Sequence, residues 1–121
     1  MITRDQRRAQ AAFDRIKGAQ REDWAEDYGR QCLHLPALIH QCGLCQTLTF
    51  LEAKEAKKPW LKRLREDVIG VAGLESTAHV RDMDVSEYQR LTRETLACVQ
   101  WFKRYAEAIL KVEAGGEEER G

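Results

Sequence analysis

The chain has 121 residues, enough for one hydrophobic core and too few for two. Lysine and arginine total 20 and aspartate and glutamate total 20, so the formal net charge is zero; a globally basic nucleic-acid binder is excluded, whereas a locally basic face is not. No apolar run approaches the ~20 residues of a membrane helix, and the opening MITRDQRRAQ has no apolar run behind its basic residues. Neither a membrane span nor a secretory signal is therefore expected, and the chain reads as cytoplasmic with its four cysteines reduced.

Val, Ile and Thr never cluster with alternating polarity, so the expected fold class is all-α. Thr3 and Gln6 have the spacing of a capping box and open the first helix; Ala9, Ala12, Phe13 and Ile16 form its apolar face, and Gly18 is expected to end it. A second helix over 21–33 carries Trp24, Tyr28 and Cys32 on one face, with Glu22, Asp23, Glu26 and Asp27 in its first turn, where the helix dipole favours negative charge. Pro36 is expected to break it, leaving a short turn over 37–41 and a further break at Gly43. The next helix, 44–57, buries Leu44, Leu48, Leu51 and Phe50. Pro59 suits the first position of another, which presents Trp60, Leu61, Leu64, Val68 and Val71 before Gly73. The polar segment 75–82 gives no periodic signal.

Asp84 and Glu87 form a second capping-box pair and open the strongest element, a helix over 85–113 of roughly 40 Å. Tyr88, Leu91, Thr95, Cys98, Phe102, Tyr105, Ile109 and Val112 make a continuous seam, widened by Val99, Ala106 and Leu110, with Trp101 on the other side. A stripe this broad must touch more than one neighbour, so this is read as the central helix. The expected architecture is a single-domain bundle of five to six helices over 1–114 with a long C-terminal helix, followed by a disordered acidic tail over 115–121.

Few residues point to chemistry. Cys42 and Cys45 form a CxxC, but a redox site needs a βαβ setting and a zinc site needs a second ligand pair; Cys32, His34, His40 and Cys98 do not supply one at the usual spacing. Two small residues packed in a helix interface is the simpler reading. Arg30 and His34 are separated by three residues, short of the four to six of some helical ribonucleases. His79 lies close in sequence to Asp82 and Asp84, an arrangement open to acid–base work, yet no nucleophile accompanies it. No P-loop, GxSxG or HExxH is present. No catalytic residue, metal or cofactor is expected.

The charge map says more. KEAKKPWLKRLR, residues 54–65, holds six basic residues (Lys54, Lys57, Lys58, Lys62, Arg63, Arg65) and one acidic residue, Glu55. It straddles a helix junction and would attract phosphates irrespective of base sequence. At 3.6 residues per turn, Arg93, Arg104 and Lys111 align on the last helix away from its seam, with Arg90 flanking and Glu94 and Glu107 in partial opposition. Solvated basic faces are the common alternative in both places, and Trp60 reads as core before it reads as a stacking platform.

The order of residues resembles that of the small helical subunit of the Cmr, or type III-B, CRISPR effector complex, the family numbered five among the Cmr proteins. One block is Tyr28, Leu35-Pro36, Ile39, and Gly43-Leu44 leading to Phe50; the other is Tyr88, Leu91-Thr92, Glu94, Leu96, Trp101, Lys103-Arg104 and Ala106. The likeness spans nearly the whole chain. One departure is Cys42, where the family pattern has a polar residue able to cap the next helix. Tyr88, Trp101 and Phe50 are expected as core anchors, and Lys103 and Arg104 as matched positions with charge to offer. The resemblance implies a non-catalytic subunit acting in antiviral defence. Its implied partners are other Cmr subunits, copies of itself, and the backbone of guide and target RNA, with no membrane. A helical adaptor touching protein alone is the alternative.

Overall fold

The computed structural model describes residues 1–113; Ala114 and the expected tail over 115–121 lie outside the described residues. Among the described residues six helices follow one another: α1 (Arg4–Gln20), α2 (Ala25–Cys42), α3 (Leu44–Lys54), α4 (Pro59–Ala72), α5 (Thr77–Asp82) and α6 (Val85–Ala108). No strand occurs among the described residues. Helix α6 packs most extensively on α2 and α1 and also touches α4, so it is the central element expected from its broad seam.

The N-terminus of α1 is a reciprocal capping box: Gln6 N–H donates to Thr3 Oγ1 (3.0 Å) and Thr3 N–H to Gln6 Oε1 (2.7 Å). Gly18 does not end this helix, which runs to Gln20. A Cβ at Gly18 would stand 2.9 Å from an Arg63 nitrogen, so the glycine clears space for a guanidinium. Phe13 is 40% exposed, while Ala12, Ile16 and Ala19 are buried.

Helix α2 begins at Ala25, later than expected, and passes through Pro36 without a break. Proline costs about 3 kcal/mol inside a helix. Leu33, Leu35 and Ile39 are all buried around it, and each buried Leu or Ile contributes roughly 1.5–3 kcal/mol, which is enough to hold the helix together. The separate turn expected over 37–41 is therefore the last part of α2.

Gly43 is the true break, at φ +88°, a backbone state that side chains disfavour. The N-terminus of α3 is capped from a distance. The backbone N–H of Cys45 donates to the Tyr88 hydroxyl (3.0 Å), and a Cβ at Gly43 would sit 3.2 Å from that oxygen. Gly43, the N-cap residue, has no side chain to offer, so a tyrosine from α6 supplies the acceptor. Helix α3 stops at Lys54, and Phe50, expected in the core, is 40% exposed with Lys54 Nζ 5.1 Å from its ring centre. Tyr88 and Trp101 are half-buried against the two core clusters.

Pro59 takes the first turn of α4, and left-handed Gly73 (φ +77°) ends it, as expected. The segment without a periodic signal folds as α5. Ser76 accepts from His79 N–H (3.0 Å), and Val80 is buried in a second core with Leu44, Leu48, Leu74, Leu91 and Cys98. Asp84 caps α6 through Glu87 N–H (3.0 Å), but the Glu87 side chain turns to Arg90, so the expected box is only half made. Helix α6 ends at Ala108, and the chain doubles back through Lys111, at φ +61°. That places Val112 in the core, where a Cβ at Gly29 would meet it at 3.2 Å.

Candidate nucleic-acid interface

The junction of α3 and α4 displays lysine. Lys54 closes α3, Lys57 and Lys58 lie in the connecting turn, and Lys62 is in the first turns of α4; all four are exposed. The turn is tight, because the N–H groups of Lys57 and Lys58 both reach Lys54 O (3.2 Å each). Among the described residues, no carboxylate pairs with any of these four ammonium groups. The positive end of the α4 dipole lies at the same junction and adds to the potential.

The two arginines of this run behave differently. Arg63 Nε donates to Asp67 (3.1 and 3.4 Å), and its guanidinium lies 5.7 Å from the Trp24 ring centre. Arg65 forks onto Glu55 (2.9 and 3.1 Å), approaches Glu52 at 3.9 Å, and keeps only 12% of its side chain exposed. The Glu55 hydrogen bonds, ahead of burial in the other direction, raise the Arg65 pKa above its ordinary value. Arg63 and Arg65 therefore brace the fold, and of the six cations in this run the four lysines are the ones without a carboxylate partner among the described residues. The i, i+4 spacing of Arg63 and Asp67 was a visible sign of this pairing.

Asp67 itself escapes a reading based on charge runs. It is 3% exposed, accepts from the Tyr28 hydroxyl (2.6 Å) and from Arg15 Nη1 (2.9 Å), and joins α1, α2 and α4. Burial first, with neighbouring Cys32 and Asp67 next, drives the Tyr28 pKa far above that of a free tyrosine.

On α6, Arg93 and Arg104 are exposed and share one face, as their spacing requires, and Lys103 is half-buried. Lys111 does not extend this stripe, because the helix ends before it. Arg90 is held by both carboxylate oxygens of Glu87 (2.9 and 3.1 Å). Glu94, expected to oppose the stripe, is taken by α1: Arg8 forks onto it at 2.8 and 2.6 Å.

The Arg8 guanidinium holds the Glu94 carboxyl below its ordinary value of 4.5. The folded state thus binds this proton less readily than the unfolded state, and the pair's stabilisation is complete above the ordinary glutamate range and lost as pH falls through the lowered value. Glu94→Gln is expected to cost on the order of 1–2 kcal/mol at neutral pH. In thermal melts from neutral pH down to about pH 3, the gap between wild type and variant closes below the ordinary glutamate pKa. A gap that stays constant contradicts the pairing.

The remaining candidates are not brought together. Cys42 is exposed, Cys45 half-buried, and both are free thiols. No three His, Cys, Asp or Glu side chains converge as a metal site among the described residues. Arg30 is bound to Glu26, and His34 is exposed one turn further on. His79 lies in α5 and meets Glu75 (3.6 Å), not the aspartates that follow it in sequence. Burial pushes the Cys98 thiol up to about 12, so it is not a thiolate at neutral pH. No helix among the described residues is long and apolar enough to cross a membrane.

Fold and surface together define a small, all-helical protein centred on one long helix, with a lysine-rich helix junction as its principal charged feature. The family is shown by comparison with known proteins. Residues 4–109 match the family described as CRISPR-associated protein (Cas_Cmr5). A protein of Thermus thermophilus, the "CRISPR system Cmr subunit Cmr5", is 38% identical over 114 residues, covering 92% of this chain and 99% of that one. The crystal structure of a CRISPR-associated Cmr5 family protein, also from Thermus thermophilus, superposes with a TM-score of 0.82 at 35% identity, over 91% of this chain and 99% of that one. The chain belongs to the CRISPR-associated Cmr5 family.

Proposed function

We propose that the chain is a non-catalytic subunit of a Cmr, type III-B, CRISPR effector complex in antiviral defence, where it packs beside other Cmr subunits and copies of itself and holds the backbone of guide and target RNA. Family membership supports the assembly. The observation that carries the RNA contact is the exposed quartet Lys54, Lys57, Lys58 and Lys62, free of carboxylate partners among the described residues. Four unpaired ammonium groups on one junction are a phosphate-binding surface that ignores base identity. That suits a complex in which base pairing reads the sequence and protein holds the backbone.

Arg93, Lys103, Arg104 and Lys111 form a second, looser set on and after α6. Acidic residues gather elsewhere, at Glu22, Asp23, Glu26 and Asp27 in and after the α1–α2 turn, all exposed and fit for protein or water. The adaptor reading, with protein contact alone, draws on Phe13 and Phe50, two large apolar side chains each 40% exposed. Charge reversal of the four lysines in the assembled complex separates the two. The proposal expects weaker target-RNA binding with a shallower salt dependence, and the adaptor reading expects neither.

A further inference from the structure

We propose that a cleft between the first turns of α1 and the N-terminal half of α6 seats a phosphate of the bound RNA, held by Arg4 and Arg93. This rests on the RNA-contact reading above and deepens it at Arg93, away from the lysine junction. The cleft has a volume of about 280 Å³ and is lined by Arg4, Arg8, Arg90, Arg93 and Glu94. It lies at the end of α4 opposite the lysines, since Arg4 and Arg90 also line an opening beside Gly73. Fourteen residues of α4 separate the two regions, about 20 Å at 1.5 Å per residue.

The charges around the cleft can be assigned one by one. Glu94 gives both oxygens to Arg8 (2.8 and 2.6 Å), and Glu87 gives both to Arg90 (2.9 and 3.1 Å). Asp5 is shared between Arg8 (3.3 Å) and the Trp101 indole N–H (3.1 Å). Every carboxylate at the rim is thus engaged. Arg4 and Arg93 form no ion pair among the described residues, and four arginines against three carboxylates leave the opening with one net positive charge and two guanidinium groups not committed to a carboxylate.

The site is also held in shape. Arg8 and Glu94 keep only 17% and 25% of their side chains exposed, and their forked pair ties α1 to α6. This fixes the helices that carry Arg4 and Arg93. Guanidinium groups arriving from two helices match the planar, two-point contact that Arg makes with phosphate oxygens and Lys does not. Along α6, Arg104 borders the next opening, eleven residues on and about 16 Å away on the same face. A phosphodiester chain therefore has a further cation to follow. A single acidic side chain would satisfy one opening and leave that continuation without a role.

The test uses the assembled complex with guide RNA and measures target-RNA affinity against salt for Arg4→Gln/Arg93→Gln, for Arg4→Lys/Arg93→Lys, and for the four-lysine reversal. The glutamine pair is expected to bind more weakly and to lower the log–log salt slope by about 1 per lost cation. The lysine pair should keep the slope and lose affinity through poorer geometry. If the glutamine pair matches wild type while the four-lysine reversal lowers the slope, the cleft is overturned and the lysine face stands. If neither changes binding, both fall. Should the glutamine pair disturb assembly, the wild-type complex answers the same question with target RNA carrying 4-thiouridine. Crosslinks to the peptides holding Arg4 or Arg93 sustain the cleft, and crosslinks to the lysine junction without them overturn it.

Discussion

Asp67→Ala is expected to lower the unfolding free energy by roughly 2–4 kcal/mol, less than for a fully buried pair because Arg15 and Arg63 keep 40% and 37% of their side chains exposed. The carboxylate is 3% exposed and accepts from Tyr28 (2.6 Å), Arg15 (2.9 Å) and Arg63 (3.1 Å). Without it, the Tyr28 hydroxyl is buried with no acceptor, and two guanidinium groups face each other with no counter-charge. Glycines make room for both: a Cβ at Gly70 would lie 2.8 Å from Arg15, and one at Gly18 would lie 2.9 Å from Arg63. In a domain of this size the loss corresponds to a fall in Tm on the order of 10 °C or more. Tyr28→Phe removes one hydrogen bond and keeps both ion pairs, so its expected cost is smaller, about 1–2 kcal/mol. Thermal melts followed by circular dichroism check the order. An Asp67→Ala protein no less stable than Tyr28→Phe contradicts the role given to this carboxylate.

Reversing Lys54, Lys57, Lys58 and Lys62 to glutamate is expected to leave the fold intact, because all four side chains are exposed and none pairs with a carboxylate among the described residues. The effect falls on RNA. Each phosphate-contacting lysine adds about 1 to the salt slope, so the slope should drop by roughly 3–4, and affinity at low salt should fall by at least about tenfold. Reversing Arg63 or Arg65 would be a poor substitute. Arg63→Glu would drive a second carboxylate against buried Asp67, and Arg65→Glu would do the same beside Glu55. A loss of RNA binding would then mix damage to the fold with any lost contact.

Local signals in the chain are reliable where a single side chain decides the outcome. Thr3 with Gln6, Pro59, Gly73 and Gly43 all stand where short-range geometry puts them, and the seam of α6 correctly marks it as central. Distant packing decided most of the differences; the half-made box at Asp84 is the exception, set by the local Glu87–Arg90 pair. Pro36 stays helical because the core holds the residues around it. Gly18 marks a passing guanidinium and not a helix end.

The end of α6 comes earlier than its periodicity suggests, because Val112 packs from a doubled-back segment that happens to keep the helical spacing. At the α3–α4 junction, the lysines were legible as a run. The Arg63–Asp67 spacing hinted at one ion pair, but the burial of Asp67, the return of Glu55 to Arg65, and the reach of Arg15 to the same aspartate across 52 residues depend on the fold. The Arg8–Glu94 contact spans 86 residues, so a charge run along α6 alone could not show that Glu94 is already paired, nor that Arg4 stands beside Arg93.

The α3–α4 junction of this Cmr5-family chain is proposed to lie against RNA. The most direct test of that placement is ultraviolet crosslinking followed by peptide mass spectrometry on the assembled complex loaded with guide and target RNA. Crosslinked nucleotides are predicted on the peptides that carry Lys54, Lys57, Lys58 and Lys62. An efficiently crosslinked complex in which those peptides stay unmodified, with RNA attached only to neighbouring subunits, would contradict it.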